Sequence, residues 1–333
     1  MVFETAAVVV HPTPGTDCVM NSLVDVTLPV PALGVHDLLV DVRAVSVNPI
    51  DLKLRRSSRK DRVLGFDAAG TVLDRGQQVT GFRTGDAVYY SGDVRRSGAY
   101  SALQVVDARL VAPMPRTLGF TEAAALPLSA LTAWDALFSK LRLDRESRGN
   151  LWVTGAGGGL ASVAIQLVRA MTSVTVVAST VRPEARNWAI RLGAHHVLDS
   201  QHLDEEISAR LPAGFDWVLS IATDHYYQSI VRNIRPHGLV VVLDEPKEID
   251  VNALKSKSVG WLWESLYTDL LYGSSNRILH QERLIRLAEL VDEGLVRSTM
   301  GHHGGSIDAS HLERAHLLLE SGAATGKIVL SNG

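Results

Sequence analysis

Four glycines fall within nine residues at Val153-Thr154-Gly155-Ala156-Gly157-Gly158-Gly159-Leu160-Ala161. An apolar strand, Leu151-Trp152-Val153-Thr154, leads into this stretch, and an amphipathic helix is expected from Leu160 to Met171. Glycine lets the backbone turn tightly and approach a pyrophosphate, whose charge then meets the unpaired N–H groups of the helix's first turn. Gly155, Ala156, Gly157, Gly158, Gly159 and Leu160 are therefore the candidate cradle for a dinucleotide. A glycine cluster alone is weak evidence; its place after the first strand of an alternating β/α run gives it weight. Aligned on Gly158, the pattern departs from G-x-G-x-x-G at Ala156 and Ala161. The second of these sites needs only a small residue for helix–strand packing.

An NAD site places Asp or Glu roughly 20 residues beyond the glycine turn, to hold the ribose 2′-OH. That stretch here reads Ala178-Ser179-Thr180, with Arg182 and Arg186 close behind. An acid would repel a 2′-phosphate, whereas hydroxyl and guanidinium groups bind one. Ser179 and Arg182 thus point to NADPH over NADH; the plain alternative is that both arginines are solvated helix charges. Ser220, closing the strand Trp217-Val218-Leu219-Ser220, lies where doubly wound sheets bind ligands, beyond the strand C-termini.

The elements that must hold these residues fall into two textures. After Asn150, short apolar strands alternate with helices (Val174–Ala178, Pro183–Leu192, Leu239–Leu243), which implies a parallel sheet with right-handed crossovers. Residues 5 to about 115 carry Val/Leu segments broken by Pro, Gly and Asp, the pattern of a mostly-β domain. Between them, residues 121–141 are Ala- and Leu-rich and read as helix, with Pro127 as an internal break. A helix from Gln281 to Asp292 and a last strand at Lys327–Leu330 complete the order.

At 333 residues the chain is long enough for two domains. A net charge of -3, with both signs mixed along the sequence, gives no basic stripe for nucleic acid. No apolar run reaches membrane-spanning length. The N-terminus reads as a first strand, not a signal peptide, and the one cysteine, Cys18, excludes an internal disulfide. These features point to a cytoplasmic protein with a small-molecule substrate, no nucleic acid and no membrane partner.

Several motifs then follow in a recognisable order: Gly65-Phe66-Asp67-Ala68-Ala69-Gly70, Gly85-Asp86-Ala87-Val88, Gly98-Ala99-Tyr100, Leu126-Pro127-Leu128, Leu131-Thr132-Ala133-Trp134 and Gly326-Lys327-Ile328-Val329. Together they resemble the medium-chain dehydrogenase/reductase superfamily. Val47-Asn48-Pro49-Ile50-Asp51-Leu52-Lys53 resembles the N-P-x-D-x-K stretch of its zinc-free quinone-oxidoreductase-like branch, and Trp261-Leu262-Trp263-Glu264 is closer to a subgroup called zinc-type by descent. The resemblance implies an α/β protein: a GroES-like mostly-β catalytic domain over 1–126 and 271–333, and a doubly wound Rossmann parallel-sheet domain over 127–270. It implies that Asn48 lies near the nicotinamide at the floor of the cleft between domains, its amide contacting the substrate oxygen or the cofactor. It also puts Thr132 facing the nicotinamide and makes Lys327 a cofactor candidate. Asp51 either serves the site or caps the short helix beginning near Ile50. Of Tyr89 and Tyr90, one is expected to donate a hydrogen bond or proton near the substrate; Tyr89 is the candidate, and alternation turns the other into the core. A homodimer is implied as well, with Val259–Trp263 pairing edge to edge. Leu266 to Tyr272 are expected to line the substrate entrance or the dimer contact.

A catalytic zinc needs about three protein ligands. The Gly-His-Glu of zinc alcohol dehydrogenases is here Gly65-Phe66-Asp67, and the four-cysteine lobe is absent. His195-His196 should face opposite sides of a strand, and His302-His303-Gly304-Gly305 reads as a mobile loop, so no metal is expected. No Tyr stands four residues before a Lys, and there is no G-x-S-x-G elbow or P-loop. The expected activity is NADPH-dependent, zinc-independent hydride transfer to a conjugated carbonyl, a quinone or an enal/enone. The alternative is an NADPH-binding structural or regulatory protein with little turnover.

Overall fold

The computed structural model describes residues 3–12, 21–273 and 277–332; Cys18 lies outside them. The chain divides into two compact units. Unit 1 comprises Met1–Leu128, Tyr267–Gly294 and Ser298–Gly333; unit 2 comprises Ser129–Leu266 and Leu295–Arg297. The junctions at 128/129 and 266/267 stand beside the expected 126/127 and 270/271.

In unit 1 the strand Asp37–Ser46 is central and buries one face through Leu38, Val40, Val42 and Ala44, while Leu39, Asp41 and Arg43 on the other are half-buried. It pairs antiparallel with Lys327–Ser331, with Asp67–Arg75 and with Leu103–Asp107. Ala87–Ser91 continues the sheet beyond Asp67–Arg75. The ladder to Asp67–Arg75 shifts register near Val42/Ala44, where a Cβ on Gly70 would stand 2.1 Å from the Asp41 carbonyl oxygen. Gly70 thus lets the strands close where a side chain would hold them apart. The expected loop at His302-His303 is corrected: Met300–His303 is a strand parallel to Lys327–Ser331. His302 Nε2 accepts the Thr325 N–H and His303 meets Ser331 Oγ, which offsets the poor strand propensity of the Gly-His sequence.

Unit 2 is built on six parallel strands. Their order is His196–Asp199, Thr175–Thr180, Asn150–Val153, Phe215–Ser220, Ile234–Val242 and Gly260–Trp263. Numbered along the chain this is 3-2-1-4-5-6, the doubly wound Rossmann order. Near-continuous Val, Leu and Ile runs suit strands covered on both faces. The helix Gly159–Met171 buries eight of its 13 residues, and Trp152 stacks on Phe215 inside the sheet's core. The helix expected through Leu141 is α-helical over Pro127–Trp134 and π-helical over Asp135–Lys140. Among the described residues, no helix is long and apolar enough to cross a membrane.

Candidate active site

In unit 1, Asn48 closes the strand–helix corner between Asp37–Ser46 and the helix Pro49–Ser57. Proline at the first helical position needs no N–H acceptor, and Asp51 two residues later accepts the Asn48 backbone N–H at 2.8 Å. The second Asp51 oxygen accepts the Gly65 N–H at 3.0 Å. The capping role considered for Asp51 is therefore realised in a fully buried carboxyl. Burial pushes its pKa up to about 7, against the pull of the two backbone donors and the Lys327 charge.

The Asn48 side chain is held on both sides. Its Oδ1 accepts from Lys327 Nζ, and its Nδ2 donates to Asp67 Oδ2 at 2.8 Å. The second Nδ2 hydrogen reaches the Ser46 carbonyl only at 3.3 Å, beyond the usual range for such a bond. Asp67 gathers four donors: Ser46 Oγ at 2.8 Å, Asn48 Nδ2, Lys327 Nζ at 3.2 Å and the Leu128 N–H at 2.6 Å. Lys327 uses its third hydrogen on the Val47 carbonyl at 2.9 Å. An ammonium–carboxylate pair this deeply buried is sustained by such added bonds, and it fixes the amide between two opposite charges. Lys327, expected to meet the cofactor, is instead an internal cation whose three hydrogens all have acceptors.

Two hydroxyls that the sequence reading did not single out stand beside this cluster. Ser91 pairs with Asp67 across the ladder, and its Oγ lies 3.3 Å from Tyr267 Oη. The Tyr267 ring meets Phe66 edge-on, and burial raises its phenol well above the ordinary value. Tyr267 falls within the stretch expected at the substrate entrance, but no spacing pattern linked it to Asp67.

The role expected of Tyr89 is corrected. Its hydroxyl donates to the Leu284 carbonyl at 2.5 Å in the core, and Tyr90 donates to Gln104 Oε1 at 2.8 Å. Each phenol already gives its one proton to a protein acceptor, so neither has one to offer a ligand.

In unit 2 the glycine turn leaves the strand Asn150–Val153 beside Phe215–Ser220, where the strand order reverses. Gly155 has φ +67°, a left-handed conformation that favours glycine. Ala156 N–H binds the Ser179 carbonyl at 3.1 Å, and Gly158 N–H the Gly155 carbonyl at 3.1 Å. Gly158 caps the helix that begins at Gly159 and Leu160, whose N–H groups have no intrahelical acceptor. A Cβ on Gly157 would stand 2.6 Å from Arg182 Nη2 and 2.8 Å from Ala185 Cβ. The loop and the Arg182 guanidinium are therefore in contact, and this cradle fits a dinucleotide pyrophosphate with a cation at its side.

Ser179 is corrected as a phosphate contact. It is fully buried, and its Oγ accepts the Trp152 indole N–H at 3.0 Å. Ser220 is likewise buried, its hydroxyl sharing a 2.8 Å bond with Thr223, whose own hydroxyl and N–H bind Asp244. Arg186 donates to the Val197 carbonyl at 2.6 Å, and Arg182 is the arginine that stands against the loop at Gly157. Thr132 lies on Pro127–Trp134, 8% exposed.

Among the described residues no three His, Cys, Asp or Glu side chains come together to hold a metal. Around Asn48 the donor set is an amide, the Asp67 and Asp51 carboxylates, and an ammonium in contact with the amide and with Asp67. An ammonium at hydrogen-bond range would repel a divalent ion, and Phe66 contributes no ligand. The residues present do not fit a zinc.

Residues 34–116 match the alcohol dehydrogenase GroES-like domain, and residues 192–330 match the zinc-binding dehydrogenase family. A zinc-type alcohol dehydrogenase-like protein of Staphylococcus epidermidis is 32% identical over 93% of this chain and 95% of its own length. A solved structure from Rhizobium etli, described in terms of zinc-dependent alcohol dehydrogenase, superposes with a TM-score of 0.93 at 37% identity. That alignment covers 100% of this chain and 99% of the other. The 2-methylene-furan-3-one reductase of Solanum lycopersicum is 28% identical over 90% of this chain and 73% of its own.

Proposed function

Because the chain belongs to the medium-chain dehydrogenase/reductase superfamily of oxidoreductases, we propose that it reduces conjugated carbonyl compounds, quinones or enals and enones, with NADPH and without zinc. The observation that carries this reading is Asn48, clamped between Lys327 and Asp67 with one amide hydrogen only loosely engaged. NADPH, when bound, supplies the hydride. Addition of hydride to the electron-poor carbon of a conjugated carbonyl builds negative charge on its oxygen. A preorganised donor aimed at that oxygen stabilises the charge without reorganising at the moment of reaction. The loosely engaged hydrogen on Asn48 Nδ2 is such a donor. The Lys327 ammonium on the amide oxygen draws electron density from the amide and strengthens that donor. The buried Lys327–Asp67 pair thus takes the place of a Lewis acid, and solvent returns the proton.

Gly155 to Leu160 hold the pyrophosphate in this reading, and Arg182 carries the preference for a 2′-phosphate in place of Ser179. The name of the tomato relative supports an enone substrate, and the chemistry of a quinone is the same at the reacting carbon.

The test follows NADPH and NADH oxidation with a panel of 1,4-quinones and conjugated enals. Asn48→Ala should lower kcat by about a hundredfold with NADPH affinity unchanged, the cost of losing one oxyanion donor. Arg182→Ala should weaken NADPH and leave NADH unaffected. NADPH binding without turnover across the panel would instead favour a binding protein, and equal loss of both cofactors in Arg182→Ala would remove the 2′-phosphate assignment.

A further inference from the structure

Ser91 and Tyr267 stand beside the Asn48 clamp in unit 1, and the chemistry above does not use them. Ser91 Oγ and Tyr267 Oη are 3.3 Å apart and are each other's hydrogen-bond partner. A hydroxyl carries one hydrogen, so a bond between two hydroxyls uses one hydrogen and leaves the other over. Among the described residues no other group takes that second hydrogen. The pair itself is loose, since 3.3 Å is beyond the usual range between hydroxyl oxygens. Both side chains are buried, Ser91 at 1% exposed and Tyr267 at 7%. A donor left over in such a place costs free energy until an oxygen arrives to accept it.

The fold sets this pair next to Asp67 and keeps it out of the clamp. Ser91 ends the strand Ala87–Ser91 directly opposite Asp67 in the antiparallel ladder, and opposed side chains share one face of a sheet. The Asp67 carboxylate nonetheless takes its donors from Ser46, Asn48, Lys327 and the Leu128 N–H, while Ser91 turns to Tyr267. Phe66, the residue before Asp67, meets the Tyr267 ring edge-on with centroids 6.3 Å apart. Burial raises the phenol well above its ordinary value, so it stays a donor. The loose Asn48 hydrogen and the hydroxyl pair both neighbour Asp67 without sharing an acceptor, an arrangement that suits two oxygens better than one. Of the two hydroxyls, Tyr267 is the less buried and, as a phenol, the stronger donor. The bonds then run from Ser91 to Tyr267 Oη, and from Tyr267 outward.

We propose that Tyr267, oriented by Ser91, is a second oxygen-binding point of the substrate site, and that it selects a conjugated ring with two carbonyls, a 1,4-quinone, over an enal or enone with one. This inference rests on the reductase reading and narrows its substrate class. Asn48 takes the oxygen on which charge builds, and the Tyr267 hydroxyl donates its hydrogen to the far carbonyl. Holding the ring at both ends fixes its position and orientation before hydride is transferred. Tyr267 keeps its proton throughout, and the proton of the reduction still comes from solvent. Ser91 is a positioning residue: it touches Tyr267 alone, and its bond aims the phenol's hydrogen.

The experiment compares two substrates of the whole protein with NADPH. One is tetramethyl-1,4-benzoquinone, whose substituted ring resists thiol addition; the other is 2-cyclohexenone, a ring with a single carbonyl. Phe keeps the ring of Tyr267 and Ala the small size of Ser91, so both substitutions spare the packing. Tyr267→Phe should lower the quinone-to-cyclohexenone ratio of kcat/KM about tenfold, the loss of one hydrogen bond to the far oxygen. Ser91→Ala should lower that ratio about threefold, and should add nothing in a Tyr267→Phe background, because its effect passes through the phenol. Asn48→Ala should lower both substrates alike. An unmoved ratio in Tyr267→Phe overturns the proposal, as does a Ser91→Ala loss that persists without the phenol. A wild type that reduces cyclohexenone and not the quinone overturns it too, and leaves the reductase reading standing. Should neither be reduced, the reductase reading falls, and calorimetric titration of the quinone into the NADPH complex decides the pair. A Kd raised about tenfold in Tyr267→Phe then supports the second binding point, and an equal Kd or no binding removes it.

Discussion

Asp51 shows how little a residue's type says about its state until its surroundings are known. The sequence left open whether this carboxylate capped a helix or served the site, and the structure gives it the cap in a fully buried position. Its pKa is pushed up from 3.8 to about 7, so the folded chain holds a proton through a window, about pH 4 to 7, where the unfolded chain has released it. Stability from this group is therefore present at low pH and falls as pH rises through that window, the reverse of a salt-bridged carboxylate. Over the full window the Asp51 contribution is on the order of 4 kcal/mol. Asp51→Asn removes the titration, so its urea stability relative to wild type should improve between pH 5 and pH 8. Parallel stabilities at the two pH values would mean the carboxyl titrates as an exposed one. The same blindness to surroundings explains Tyr89 and Ser179. Strand alternation says that neighbours face opposite ways, but not that both faces of a strand are buried, as they are at Tyr89 and Tyr90. Asp67 was visible only as part of a motif, because its role depends on partners 19 to 260 residues away in the chain.

At the scale of elements, the glycine turn was legible because its signal is local: strand, turn and helix are contiguous, and glycine is the residue that such a turn requires. What was not legible is the partner that turn leans on. Gly157 does not need glycine for its own φ; it needs it because Arg182 and Ala185, at the start of the helix Pro183–Arg191, come within 2.6 and 2.8 Å of where a Cβ would be. Gly157→Ala should therefore displace the Arg182 side chain or the helix start, and with it the cation beside the cradle. The expected result is a Kd for NADPH raised about tenfold, roughly 1.4 kcal/mol, with the far-UV spectrum unchanged. Unaltered NADPH binding, measured by quenching of tryptophan fluorescence, would place the phosphate away from Arg182. The His302-His303 strand shows the opposite failure. A Gly-His sequence carries no strand propensity of its own, and only pairing with Lys327–Ser331, a buried strand further along the chain, makes it one.

For the whole molecule, the order of motifs gave the family, whereas assembly was reachable only by resemblance. The six-stranded sheet ends at Gly260–Trp263, which pairs with Ile234–Val242 on one side. Edge strands in soluble proteins are usually short, charged or covered. This one is short but carries Trp261, Leu262 and Trp263, with Trp263 54% exposed. A lone exposed tryptophan on an apolar edge is an aggregation hazard unless something covers it, and a second copy in edge-to-edge pairing covers it by symmetry. On that argument we expect a homodimer in solution. Trp263→Lys places a charge where the two edges would meet, the device by which natural edges prevent pairing. Light scattering should then report a shift from dimer to monomer at micromolar concentration, while the paired inner side of the strand keeps the sheet intact. A variant that scatters as the wild type does would move the interface away from this edge and leave Trp263 to be covered by another surface.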